Sequence, residues 1–285
     1  MNGFLLIDKD RDWTSRDVCN KIQHLLHVRK VGHTGTLDPF ATGLLMVTVG
    51  NGTKAGTFLE DFDKEYEATL VLGKKTSTAD LSGEVIEEKE VPSFSKEEVE
   101  KVLLSLIGEQ DQIPPMTSAA HFNGQKLYVL AHQGIEVVRE PRRVNIKKLE
   151  LIETFDNVIK FRCLVSKGTY IRVLGETIAE KLNTVGFLSE LRRLSVGPYS
   201  VNDAIKLEKV VDAIPFSIAE ILRKHLPEYV VPDENKKRIF DGASIKIEGI
   251  ASNYDKIFIS DTSGEALAVY RRYENDIFTC ARGLW

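Results

Sequence analysis

Gly32-His33-Thr34-Gly35-Thr36-Leu37-Asp38-Pro39-Phe40-Ala41-Thr42-Gly43 sets three glycines, a proline and several small residues around one carboxylate. Glycine lets the backbone turn where a side chain would clash. Pro39 biases Asp38 away from the helical region. The run predicts a tight, preorganised loop that presents one carboxylate, Asp38, and one imidazole, His33. The same residue types also build ordinary surface turns, so composition alone leaves both readings open.

Regular elements are legible on both sides of this loop. Residues 4–7 read as a short buried strand. Thr14 and Asp17 have the spacing of a capping box, and Val18, Ile22, Leu25 and Leu26 follow at helical spacing. Residues 44–49 and 67–72 read as strands, and 96–107 as a helix with Val99, Val102, Leu103 and Leu106 on one face. Residues 144–151 and 158–165 pair as strands around a turn at Asp156-Asn157, and 169–182 form a second amphipathic helix. Strands outnumber those of a doubly wound sheet and do not alternate regularly with helices. The expected class is therefore α+β, a mixed, mainly antiparallel sheet with packed helices.

A short helical stretch at 216–226, between Pro215 and Pro227, reads as a connector. Beyond it come strands at 256–260, 266–270 and 277–280, separated by turns. This small β segment of about 60 residues is near the lower limit for an independent core. The expected division is a catalytic domain over 1–225 and a small domain over 226–285.

Apolar content of 42% and charged content of 28% belong to a globular protein. No apolar run approaches the 18 or so residues of a membrane span. The first residues lack the apolar core and cleavage site of a secretory signal. Cys19, Cys163 and Cys280 are odd in number and far apart, which suggests reduced thiols and a cytoplasmic protein. With no Cys-x-x-Cys pair, and with His24 and His27 on a polar helix face without a third ligand, no metal site is expected.

The net charge of −4 is unevenly spread. Residues 84–100 hold seven glutamates and two lysines, whereas 139–148 hold five basic residues and one glutamate. Residues 162–193 hold six basic and three acidic residues. A basic cleft beside an acidic back is compatible with RNA binding; solvated faces produce the same runs.

Residues 32–45, GHTGTLDPFATGLL, closely resemble the signature loop of the TruB family of pseudouridine synthases, GHxGTLDPxAxGxL. Further segments match in the family's order: GFLLIDKDRDWTSRDV, GTKAGTFL, DKEYEATLVLG, TSTADLSGEV, QIPPMTSAAHFNGQKLY, PRRVNI, SKGTYIRVLGETI and LSELRRLSVGPY. The resemblance covers roughly residues 3–200. Departures are Asp10 and Asp12, where the family usually has proline and glycine, His121 in place of a lysine, and His132 in place of an arginine.

The resemblance implies the pseudouridine synthase fold and a short C-terminal PUA-like RNA-binding domain. It implies isomerisation of a uridine at position 55, in the T loop of tRNA, with Asp38 as the catalytic residue. Arg172 would pair with that aspartate, and Tyr66 would stack on the target base near carbon 5. Tyr170 matches a second active-site tyrosine, and Leu191 a leucine lining the pocket. His33 would insert into the T loop where the flipped uridine has left. Lys9 and Asp80 match further family positions near the site.

Pseudouridine formation breaks the N-glycosidic bond, rotates the base and rejoins the sugar to carbon 5. No redox change occurs, so no cofactor is expected. A hydrolytic glycosidase would usually need a pair of carboxylates; an isomerase needs water excluded while the detached base stays in place. Asp38 could attack carbon 1′, attack the uracil ring or remove a sugar proton, and the residues do not choose among these. The expected partner is the T arm of tRNA, bound by a monomer that needs no protein partner and no membrane. The alternative is a non-catalytic RNA-binding or RNA-folding protein on the same scaffold, and a third reading is a nucleoside glycosidase. The trio Asp38, Tyr66 and Arg172 favours the enzyme.

Overall fold

The computed structural model describes residues 1–285. Its strands begin with β1 (Gly3–Lys9), β2 (Val31–His33), β3 (Thr42–Val49), β4 (Lys64–Leu72), β5 (Lys74–Thr76), β6 (Val85–Glu88) and β7 (Gly108–Gln112). A small hairpin, β8 (His121–Phe122) and β9 (Gln125–Lys126), precedes β10 (Arg142–Phe155), β11 (Val158–Val165), β12 (Gly186–Val196) and β13 (Tyr199–Ser200). One large sheet runs in the order β1-β3-β12-β4-β11-β10-β7, with β2 paired to β3 and β13 to β12. All its pairings are antiparallel except one. Where β12 meets β3 the strands are parallel, and only over Arg192↔Thr42 and Arg193↔Gly43. The sheet thus has two halves that touch over two residues, and the Asp38 loop enters β3 at that seam.

The helices are α1 (Ser15–Leu25), α2 (Gly52–Ala55), α3 (Lys96–Ser105), α4 (Leu127–His132), α5 (Ile171–Lys181), α6 (Ile218–Arg223) and α7 (Lys236–Phe240). The expected capping box starts α1: Asp17 N donates to Thr14 Oγ1 at 3.0 Å and Thr14 N to Asp17 Oδ2 at 3.1 Å. Such a cap satisfies backbone donors that have no partner within the helix and contributes about 1 kcal/mol. Val18 and Ile22 of α1, Val99 and Leu103 of α3, and Leu174 and Ile178 of α5 all enter one core against the sheet. In β4, Tyr66, Ala68, Leu70 and Leu72 face this core while Glu65, Glu67 and Thr69 point away, the two-residue alternation of a strand covered on one face.

β1 and β3 are covered on both faces. Leu5, Ile7, Leu45 and Val47 face the helices, whereas Phe4, Leu6, Leu44 and Met46 face a second cluster. That cluster is completed by Ile221 and Leu222 of α6, by Phe258 and Val269 of a C-terminal sheet, and by Leu284 just beyond that sheet's last strand. This sheet comprises β14 (Glu228–Val230), β15 (Ile245–Lys246), β16 (Lys256–Ser260), β17 (Ala266–Glu274) and β18 (Ile277–Gly283), ordered β14-β16-β17-β18-β15. Within the helical stretch expected as a connector, α6 buries Ile218, Ala219, Ile221 and Leu222. Residues on either side of position 225 share one apolar core, although the C-terminal sheet keeps a smaller cluster of its own around Tyr270 and Phe278.

Candidate active site

Asp38 lies in a loop that side chains from several elements hold by its backbone. Ser15, at the start of α1, accepts from Leu37 N at 2.8 Å and donates to Leu37 O at 3.1 Å. Lys9, at the end of β1, donates to Pro39 O at 3.2 Å and to the carbonyls of Asp10 and Trp13 at 3.0 and 2.7 Å. Arg193 of β12 donates to Leu44 O at 2.7 Å, Gly35 O at 3.1 Å and Thr36 O at 3.4 Å. Gly43 has φ +101°, and a Cβ there would meet Arg193 O at 2.2 Å. Only glycine lets the loop lie this close to β12.

Arg172, in the first turn of α5, fixes the carboxylate. Its Nε lies 3.0 Å from Asp38 Oδ2 and its Nη2 donates to Oδ1 at 3.2 Å. The remaining guanidinium protons reach Thr117 O at 2.9 Å, Thr117 Oγ1 at 2.7 Å and Thr78 O at 2.9 Å. Asp80 adds a second carboxylate 3.4 Å from Nη1. Asp80 is itself held by Thr78 Oγ1 at 2.8 Å, Ser82 N at 2.9 Å and the Ser82 hydroxyl. Arg172 is 3% exposed with every donor used, the planar fork for which arginine is suited. Burial, together with the like charge of Asp80, holds the Asp38 carboxyl above its ordinary range, against the pull of Arg172 and Lys9.

The Asp38 side chain keeps 30% of its surface open to a cavity of about 740 Å³. His33, Tyr66, Tyr170, Arg172 and Leu191 line the same cavity. His33 is held neutral, its pKa lowered to about 4 by burial and by the nearby cations Arg16, Arg193 and Lys126. Burial pushes the Tyr66 phenol up, with Arg193 opposing. Tyr170 is set by Gln112 at the end of β7, whose amide oxygen accepts from Tyr170 N at 2.9 Å.

Two residues expected among the substrate-binding groups stand elsewhere. Lys9 and Asp80 do not line the cavity. Lys9 is 1% and Asp80 3% exposed, because their polar atoms serve the Asp38 loop and Arg172 from behind. In this geometry Lys9 braces the Asp38 loop and Asp80 braces Arg172. Sequence reasoning gave no role to Ser15, Gln112, Arg193 or Lys64. Lys64 lines the cavity, donates to Glu60 O at 2.8 Å and Phe62 O at 2.6 Å, and is lowered to about 8 by burial. The signal available for all four was membership of the quoted motif segments, since isolated polar residues carry no hydrophobic pattern.

The departures have local explanations. Asp12 has φ +67°, a conformation suited to the glycine that the family usually has there, and aspartate is among the few residues that tolerate it. Its amide donates to Pro39 O at 2.8 Å. Asp10 pairs with Lys206 at 2.5 Å. His121 lines the cavity, and the His132 ring stands edge-on to Tyr128 at 6.4 Å.

The basic runs are largely paired. In residues 139–148, Arg139, Arg143, Lys147 and Lys148 each meet a carboxylate, leaving Arg142 free at the cavity rim with Lys126. These exposed pairs are weak and exchangeable. The three cysteines are free thiols. No group of three or more His, Cys, Asp or Glu side chains is placed to hold a metal ion, and no helix is long and apolar enough to cross a membrane.

The family model for the TruB family pseudouridylate synthase N-terminal domain matches residues 23–171, and that for the tRNA pseudouridylate synthase B C-terminal domain matches 172–235. The chain belongs to the TruB family. The tRNA pseudouridine synthase B of Geobacillus thermodenitrificans is 37% identical, over 96% of this chain and 95% of its own. That of Alkaliphilus oremlandii is 40% identical, over 96% and 91%. The chain is also similar to a chain in the crystal structure of a Cbf5-Nop10-Gar1 complex, with a TM-score of 0.76 and 23% identity over 99% of this chain and 85% of that one. That likeness covers nearly all of this chain and establishes the shared fold, a mixed, mainly antiparallel sheet with packed helices.

Proposed function

We propose that this chain isomerises uridine 55 in the T loop of tRNA, with Asp38 as the catalytic group. It is an enzyme, a tRNA pseudouridine synthase, as its curated relatives are named. The observation that carries the assignment is the Asp38–Arg172 pair, open on one side to a cavity of about 740 Å³ and closed on all others by protein. A carboxylate clamped by a guanidinium has a fixed direction and a stabilised charge. Mere RNA binding would not need it. A flipped nucleotide would present its sugar to Asp38, while Tyr66 and Leu191 offer ring and aliphatic surface to the base. Tyr66, its phenol pushed up by burial, acts as the neutral phenol. His33, neutral down to about pH 4, supplies a flat uncharged ring suited to stacking on an unpaired base.

The T arm would enter across the rim that carries Lys126 and Arg142. Residues 1–225 would form the catalytic domain, and residues 226–285 the PUA-like domain that grips tRNA away from the target base. The enzyme is proposed to act as a monomer in the cytoplasm, a reading supported by its free thiols and by the chain's own cover over both faces of β1 and β3. The test is to treat an unmodified tRNA transcript with the pure chain and map pseudouridine by chemical adduct and primer extension. One stop, at position 55, is expected; modification elsewhere, or released uracil, contradicts the proposal.

A further inference from the structure

On the cavity wall, Ser118 carries a buried side-chain oxygen that has no protein partner. The residue is 5% exposed. Its backbone is fixed on both sides: the preceding carbonyl, Thr117 O, accepts from Arg172 at 2.9 Å, and Ser118 O accepts from Tyr128 N at 3.0 Å. With the backbone held in this way, the hydroxyl can change direction only by rotation about its own Cα–Cβ bond.

Neighbouring hydroxyls are used. Ser15, 2% exposed, makes two bonds to Leu37, and Thr117 Oγ1 accepts from Arg172 at 2.7 Å. A buried hydroxyl with no partner costs folding free energy, and an apolar residue of similar size would serve the fold at least as well. The hydroxyl can donate one hydrogen bond and accept two.

We propose that Ser118 Oγ hydrogen-bonds the target nucleotide once it occupies the cavity, making Ser118 a binding and specificity residue beside the Asp38–Arg172 pair. The inference rests on reading the cavity as a nucleotide site. The partner is a polar atom of that nucleotide, either the ribose 2′-hydroxyl or an edge atom of uracil. A site built to hydrogen-bond a substrate discriminates strongly, because its own polar group is left unpaired with the wrong ligand.

The test is Ser118→Ala in the full chain, read by thermal midpoint and by kcat/KM on a T-arm hairpin. The midpoint should stay the same or rise while kcat/KM falls about 10-fold or more. A structural serine would lower both together. The sources separate in an Asp38→Asn background, which leaves uridine unconverted, by comparing Kd for hairpins with uridine or 2′-deoxyuridine at the target. A Ser118→Ala penalty confined to the uridine hairpin identifies the 2′-hydroxyl; an equal penalty on both identifies the base. Unchanged kcat/KM, or a fall in midpoint matching the fall in activity, overturns the proposal. Retained isomerisation by Asp38→Asn itself would instead overturn the reading of the site on which the proposal rests.

Discussion

The wall of the cavity that carries Asp38 is cross-tied by Lys9 from β1, Ser15 from α1, Arg172 from α5 and Arg193 from β12, whereas the facing wall, residues 113–141, rests on a cluster of three buried side chains, Ala120, Leu127 and Leu130. Ile113, Ile135 and Val138 of the second wall remain exposed. Few buried apolar contacts mean a low free energy of local opening. The difference suits the chemistry: the reacting carboxylate needs a fixed position, while an RNA loop needs a way in. Arg172 joins the walls, since the guanidinium that holds Asp38 also holds Thr117.

Arg172→Met should have the largest effect. It leaves Asp38 without its cation and frees Thr117, and kcat/KM should fall by about 10³-fold or more, as when a preorganised charge partner is removed. Arg172→Lys, which cannot fork, should recover little of it. Single-turnover kinetics on a T-arm hairpin would check both, and near-normal rates would show that the clamp is dispensable.

Arg193→Met tests the rigid wall without touching Asp38 directly. It leaves the buried carbonyl of Leu44 and the partly buried carbonyls of Gly35 and Thr36 without this donor, and should cost about 3 kcal/mol in urea unfolding. Leu130→Ala, in the small cluster of the other wall, should cost less than the about 2–5 kcal/mol typical of a buried leucine in a main core, because that wall can open without global unfolding. Equal costs would abolish the contrast between the walls.

The pH dependence is a further handle. Asp38 must be ionised to act as nucleophile or base, and burial raises its pKa. Activity should therefore fall as pH drops through a value above the ordinary carboxylate range, and the acid limb of kcat/KM reports it in the free enzyme. Asp80→Asn removes a like charge and should move that limb to lower pH. Lys9 gives a separate signature in stability. Its folded pKa is about 8 against an ordinary 10.5, so between those values the unfolded chain binds more protons and stability should gain with rising pH. Lys9→Met should lose that gain. The smallest effect expected is in RNA affinity: Arg142→Ala should reduce the slope of log K against log salt by about 1.

The loop around Asp38, the Thr14 cap, β1, β3 and the β10–β11 hairpin were legible because each has a local signal: turn residues, a capping pair, or an apolar period. β12 was not. Its pairing with β4 shifts register between Leu188 and Glu190 and again between Arg193 and Ser195, so the two-residue alternation breaks twice, and Arg192-Arg193 looks like surface. Arg193 is 2% exposed only because carbonyls from a loop about 150 residues away in sequence neutralise its burial. β7, with the sequence GEQDQ, carries no apolar signal and is placed by its pairing with β10. Arg172 and Tyr66 could be brought to Asp38 on paper only by the resemblance to a family. The same limit applies to Lys9 and Asp80, whose motif positions say that they belong near the site but not that they lie behind it. The shared core of α6, β1, β3 and the C-terminal sheet was hidden for a similar reason, since the apolar residues of β1 and β3 do not say what covers each face. A chain ending at His225 would uncover Phe4, Leu6, Leu44 and Met46, so the full chain should unfold in one calorimetric transition, and two separate transitions would show independent domains.

The most direct test is tritium release from a T-arm RNA labelled at carbon 5 of the target uridine, run with the intact chain and with Asp38→Asn. Forming the new bond at carbon 5 must expel that tritium. The intact chain should release one tritium per target uridine with no free uracil, and Asp38→Asn should bind the RNA with similar affinity yet release none. Steady release by a clean Asp38→Asn preparation, or binding without release by the intact chain, would contradict the account.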